Sequence, residues 1–203
     1  MRYFDMTRHF FLATAVAVLL GCGASTVVIE GNYPTPSVSK LPLRLAVFYD
    51  DPLREFTYTE YTERGGEEFH IQSGQSHIDL FNSLLPGMFE EVIRVESVEQ
   101  AQALGVDAVF IPAIEEFQLA LPYKTKLDVY EVWIKYNLRL ITPEGEYIAD
   151  WVETSYGKTT VESFRSNEAS INDAAVVALR DLASSFTFKF ANVPEVRDWL
   201  ASL

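Results

Sequence analysis

The sequence predicts an α+β fold, a mixed sheet with a long antiparallel meander and helices packed on one face. Three segments carry that prediction. From Tyr130 to Ile141, Tyr130, Val132, Ile134, Tyr136, Leu138 and Leu140 fall on one face of a strand, while Glu131, Lys135, Asn137 and Arg139 fall on the other. Asp107 to Ile114 is almost entirely apolar, as expected of a strand covered on both faces. Ala169 to about Phe190 places Ile171, Ala174, Ala175, Ala178, Leu179, Leu182 and Phe186 on one stripe of a long helix.

The remaining elements follow in chain order. Leu43 to Tyr49 is rich in strand formers and stops at Asp50-Asp51-Pro52. Phe56 to Glu63 alternates aromatic with polar residues and breaks at Gly65-Gly66; Phe69-His70-Ile71 resumes it, suggesting a hairpin. Ser76-His77-Ile78-Asp79 fits a capping box, and Ile78, Phe81, Leu84, Leu85, Met88 and Phe89 recur at helical spacing. Pro86-Gly87 should kink that helix or end its regular part. Val92 to Val95 reads as a short strand, and Ser97-Val98-Glu99-Gln100 opens a short helix closed by Gly105. Thr142-Pro143-Glu144-Gly145 is a turn, and Glu146 to Tyr156 returns as the second arm of a hairpin. Pro194 starts a last helical turn or two.

The N-terminus has a different character. Arg2, Arg8 and His9 precede 11 uncharged residues, Phe10 to Leu20, and then Gly21 and Cys22, which describes an export signal. The apolar run is too short to span a bilayer, for which about 20 residues are needed. Leu19-Leu20-Gly21-Cys22 resembles the lipobox of bacterial lipoproteins, in which the cysteine becomes the lipidated first residue; Gly23 in the next position fits sorting to the outer membrane in that family. A start at Met6 would remove the unusual Asp5, and both starts fit the leader. Residues 1–21 are thus expected as a signal peptide. Residues 22–42 are expected as a lipidated end and tether, able to reach roughly 65 Å when extended, with Thr26 to Ile29 as an optional edge strand. Residues 43–203 are expected as a single α+β periplasmic domain.

Without residues 1–21, the chain has 14 Lys plus Arg against 28 Asp plus Glu, a net charge of −14. That charge repels phosphate backbones and anionic headgroups, so nucleic acid is not expected as a partner and membrane attachment should come from lipid on Cys22. Cys22 is the sole cysteine, leaving none for a disulfide or thiolate site. His70 and His77 have no metal spacing, and neither a metal nor a cofactor is expected. The adjacent pairs Glu67-Glu68, Glu90-Glu91 and Glu115-Glu116 point to diverging directions and read as solvated surface. No Gly-x-Ser-x-Gly or P-loop frame is present, and no catalytic residue is assigned. The aromatics are the better lead. Tyr130, Trp133, Trp151 and their neighbours crowd the hairpin arms, which a cross-strand ladder worth roughly 0.2–1 kcal/mol per pair would explain. Trp133 also interrupts the polar face of its strand. With Trp151 and Tyr130 it is the candidate for an exposed partner-binding patch.

Three passages carry a resemblance. They are the Leu43–Tyr49 strand with the later helix ending Phe89-Glu90-Glu91-Val92; Ala101 to Phe110; and Tyr136 to Leu140 leading through Pro-Glu-Gly to Ile148-Ala149-Asp150-Trp151. Together they resemble periplasmic anticodon-binding-like α/β lipoprotein domains, the group including the N-terminal domain of TolB and CsgG; the lipopolysaccharide-assembly lipoprotein LptE is a weaker likeness. The resemblance implies no catalytic residues. It implies an outer-membrane lipoprotein facing the periplasm, accessory to an envelope transport or assembly system, that binds envelope proteins or self-associates. The alternative is a periplasmic module for a small or lipidic ligand.

Overall fold

The computed structural model describes residues 24–62, 68–125 and 127–203. It has the expected α+β architecture, with strands divided between two sheets. The larger sheet has the order β5 (Phe89–Val95), β2 (Leu41–Phe48), β6 (Ala108–Ala120), β7 (Val129–Ile141) and β8 (Tyr147–Thr160). Its first three strands are parallel and its last three form the antiparallel meander. The smaller sheet joins β3 (Thr57–Tyr61) and β4 (Glu68–Gln72) as an antiparallel pair, with β1 (Ser25–Val28) added parallel to β4.

Two long helices cover one face of the larger sheet. These are α2 (Gly74–Met88) and α5 (Asn167–Lys189). Short helices α1 (Asp51–Arg54), α3 (Val98–Ala101), α4 (Pro122–Thr125) and α6 (Pro194–Leu200) link or finish the elements. The core between sheet and long helices is aromatic: Phe186 lies 5.4 Å from both Phe110 and Phe190, measured between ring centroids, and Phe81 lies 5.5 Å from Phe110. On the opposite face of β2 and β6, Ala46 and Val109 pack under Ala101 and Val106, so the α3 corner covers that end.

Helix α5 approaches the sheet unusually closely where it crosses β8. A Cβ built on Gly157 would lie 2.1 Å from the Ala174 carbonyl oxygen and 2.3 Å from the Ala178 amide nitrogen. Only glycine facing two alanines one helical turn apart permits that contact. The crossing is pinned by polar bonds along its length. The Tyr156 amide donates to Asp181 Oδ2 at 3.1 Å, and buried Glu153 accepts from Ser185 Oγ at 3.1 Å and Lys189 Nζ at 2.9 Å.

Residues 24–38 depart from the expected tether. Val27, Ile29 and Tyr33 are each 5% exposed or less. The Ile29 amide donates to the Gln72 carbonyl at 2.9 Å, the Glu30 amide to Asn172 Oδ1 at 2.8 Å, and Arg180 Nη2 to the Asn32 carbonyl at 2.9 Å. The backbone groups of this segment are met by β4 and α5, so it is part of the fold. The start of α2 also differs. The helix begins at Gly74 after Ser73, three residues ahead of the expected box, and Ser76 turns inward to bond the Tyr33 hydroxyl. Pro86 does not end it early; the helix runs through Gly87 to Met88 before β5 begins.

Candidate functional site

Cys22 and the leader lie outside the described residues. The three aromatics proposed as one patch are all described, and the structure separates them. In the β7–β8 register, Trp133 pairs with Tyr156 while Leu138 pairs with Trp151. Trp133 stands on the solvent face and Trp151 on the helix face, where it stacks on Phe186 at 6.3 Å and meets Phe190 at 5.9 Å. Tyr130 faces the same side as Trp151 and is buried. The two tryptophans therefore do not share a surface. A register irregularity between Leu140 and Ile141 is the reason: Ile141 pairs with Tyr147, and continuing that count unshifted would set Trp151 opposite Asn137, on the Trp133 face. One extra residue flips every later side chain to the other side.

Trp133 itself is 49% exposed. Its ring lies 4.3 Å from that of Tyr156, whose hydroxyl donates to Glu131 Oε1 at 2.5 Å; that bond pushes the hydroxyl pKa up to about 12. Beside the indole is a shallow recess of about 160 Å³ lined by Glu116, Gln118, Lys135 and Thr154. Val152, also 49% exposed, lies on the same face two strand positions beyond Thr154. Nearby, Lys135 pairs with Glu115 at 2.6 Å and Arg139 with Asp150 at 3.1 Å, while Glu116 in the recess wall accepts from Gln118. The result is an apolar, aromatic spot bordered by charged side chains, on the part of the sheet that α3 leaves bare.

Tyr130 belongs to a different feature, which sequence reasoning did not find. At one end of the molecule a cavity of about 540 Å³ has mostly apolar walls from Phe69, Leu121, Pro122, Tyr130 and Val161, with Thr62, Asp128 and Asn167 as its polar lining. The Tyr130 hydroxyl donates to Asn167 Oδ1 at 2.5 Å, which places the start of α5 at the rim. The ends of β3, β4, β6, β7, β8, α4 and α5 converge there, and contributions so scattered along the chain leave no local sequence signal.

His77 is fully buried. Its Nδ1 lies 2.7 Å from the Tyr136 hydroxyl and its Nε2 lies 3.1 Å from Ser73 Oγ, so a neutral ring donates through one nitrogen and accepts through the other. Burial drives its pKa down to about 3 and pushes the Tyr136 hydroxyl well above its ordinary value. Neither of these two cavities is lined by it; its bonds to Tyr136 and Ser73 tie α2 to β7. His70 lies in β4, within 3.0 Å of Thr59 Oγ1 through Nδ1. Among the described residues no group of three or more His, Cys, Asp or Glu could hold a metal ion, and no helix is long and apolar enough to cross a membrane.

No family model matches the chain, and no curated protein matches it. Solved structures do. Protein XCC0632 from Xanthomonas campestris, described under the family model DUF330, is similar over 90% of this chain and 98% of its own, with a TM-score of 0.53 and 12% identity. At that identity the likeness establishes a shared fold. A minor lipoprotein from Acinetobacter baumannii (TM-score 0.39, 10% identity, 75% of this chain and 93% of its own) is also similar. So is uncharacterized lipoprotein B from Nitrosomonas europaea (TM-score 0.39, 11% identity, 84% and 97%).

Proposed function

We propose that this protein is a non-enzymatic, lipid-anchored accessory of an envelope transport or assembly system, acting from the outer membrane into the periplasm by binding a protein partner. Trp133 carries the reading. A half-exposed indole packed at a tilt against Tyr156, beside a recess and flanked by the Lys135–Glu115 and Arg139–Asp150 pairs, has the character of an interface anchor. The cross-strand pair of Trp133 with Tyr156 also supports the sheet, by about 0.2–1 kcal/mol. The Leu19-Leu20-Gly21-Cys22 leader supports the anchor, and Gly23 supports the outer membrane. The likeness of its segments to the TolB and CsgG-like domains, and the weaker one to LptE, agrees with an accessory role.

Trp133→Ala tests the site. We expect at least tenfold weaker capture of the partner in cross-linked membranes, the loss of a typical interface anchor. The melting temperature should fall by no more than about 4 °C, because only the pair with Tyr156 is lost. Unchanged capture, or a melting point many degrees lower, would remove Trp133 from the interface.

A second reading has its own observation. The cavity of about 540 Å³ beside Tyr130 falls within the roughly 300–1,000 Å³ of small-molecule sites, and its apolar walls favour a lipidic ligand.

A further inference from the structure

The cavity beside Tyr130 lies where the anchor enters the fold. Ser25 is paired with Phe69, a cavity-wall residue, at the start of β1 and β4. The side chain of Ser25 bonds Glu168, which follows Asn167 of the cavity rim. Thr62 beyond the end of β3, Tyr130 near the start of β7 and Val161 just past β8 complete the same end of the molecule. Cys22 is three residues before Ser25, a reach of about 10 Å when extended. Whatever is attached to Cys22 is therefore tethered within about 10 Å of Ser25.

We infer that this cavity receives one of the acyl chains carried by Cys22. The inference rests on the proposal that Cys22 is lipidated, and deepens the ligand-binding reading by naming the ligand as tethered to the same chain. An acyl chain passing from bilayer to cavity exchanges one apolar medium for another, so the chain itself gains little. The gain comes from covering the apolar surface that Tyr123 and Val161, each about half exposed at the cavity, leave to water; each CH₂ group's worth of apolar surface so covered favours the seated state roughly fourfold. A three-residue tether supplies the chain at high effective concentration, which a free lipid lacks. Seating one chain would also bring this end of the molecule against the membrane and so orient the Trp133 face.

The test uses the full-length protein in its native host, fed a palmitate bearing a diazirine near the chain terminus. Membranes are irradiated, the protein is digested, and cross-linked peptides are identified by mass spectrometry. The expected product joins the Cys22 peptide, through its acyl chain, to peptides containing Leu121, Tyr130 or Val161. Val161→Trp, at a half-exposed position that would fill the cavity, should lower that yield at least tenfold without altering the circular dichroism melt. The mapping on the unsubstituted protein stands even if that variant folds poorly. A labelled Cys22 whose acyl chains cross-link only to lipid or to the first few residues overturns the proposal. Cavity peptides joined to phospholipid alone overturn it as well. A Cys22 peptide carrying no label overturns the lipidation reading beneath it, a result scored separately on the N-terminal peptide.

Discussion

Gly157→Ala should lower the melting temperature by about 3–10 °C, and Gly157→Val should prevent stable folding. The added Cβ has nowhere to go: the Ala174 carbonyl and Ala178 amide that it would meet are backbone of α5, which cannot rotate aside as a side chain would. Either the helix withdraws from β8 or the strand bends away. Overpacking of this kind costs about 1–3 kcal/mol and sometimes more, and each kcal/mol shifts the melting point by about 2–4 °C in a chain of this length. Withdrawal would also stretch the Glu153–Lys189 and Tyr156–Asp181 bonds along the same crossing. Gly145→Ala is the control. Gly145 has a φ of 90° in an open hairpin turn with nothing within 4 Å, so only the backbone strain of about 1–2 kcal/mol is felt. Melts followed by circular dichroism would decide; a Gly157→Ala protein within 2 °C of the parent would mean that α5 does not sit this close.

The second large effect is acid destabilisation through His77. Its folded pKa of about 3 lies below the ordinary value of 6.5 because burial excludes the charged ring. Between pH 6.5 and 3 the unfolded chain therefore binds a proton that the folded one refuses, and stability falls as the pH falls. The slope is about 1.4 kcal/mol per pH unit, and the whole window amounts to roughly 4–5 kcal/mol, comparable with the total stability of many domains. Ring contacts with Phe56 and Tyr136, and hydroxyls from Tyr136 and Ser73, surround the imidazole, with no carboxylate hydrogen-bonded to it to offset the loss. His77→Gln should be less stable than the parent at pH 7.5 yet show a flatter decline from pH 6.5 to 4, measured by urea unfolding at each pH. Equal slopes in the two proteins would assign the acid response elsewhere.

The sequence made some of this legible and hid the rest for identifiable reasons. The β7 strand and the α5 stripe were readable because their periods are local and long. The turn at Thr142 to Gly145 was readable from its residue types; the Gly145 amide donates to the Thr142 carbonyl at 2.9 Å as such a turn requires. Strand β1 was legible only as an optional edge strand over Thr26 to Ile29, because its four residues are stabilised by a partner 44 positions downstream, Ser25 opposite Phe69. A pattern of prolines and small residues gave no hint that Tyr33 would be buried against α2. Ser76 satisfied the form of a helix cap, but its hydroxyl serves Tyr33 instead, and the helix begins one turn earlier. The candidate patch failed on a single irregularity between Leu140 and Ile141, which no residue type announces. Trp133 survived that correction because it already broke the polar pattern of its own strand; Trp151 and Tyr130 did not, since an aromatic on the apolar face is what a core also looks like.

The central claim is that this protein works by binding a partner in the envelope. The most direct test is in-cell cross-linking of the full-length protein in its native host, with membranes fractionated and the products identified by mass spectrometry. The account predicts a discrete complex recovered from the outer membrane, containing a second envelope protein joined near Trp133. Recovery of the protein alone would contradict it and leave the cavity beside Tyr130 as the place where its function must be sought.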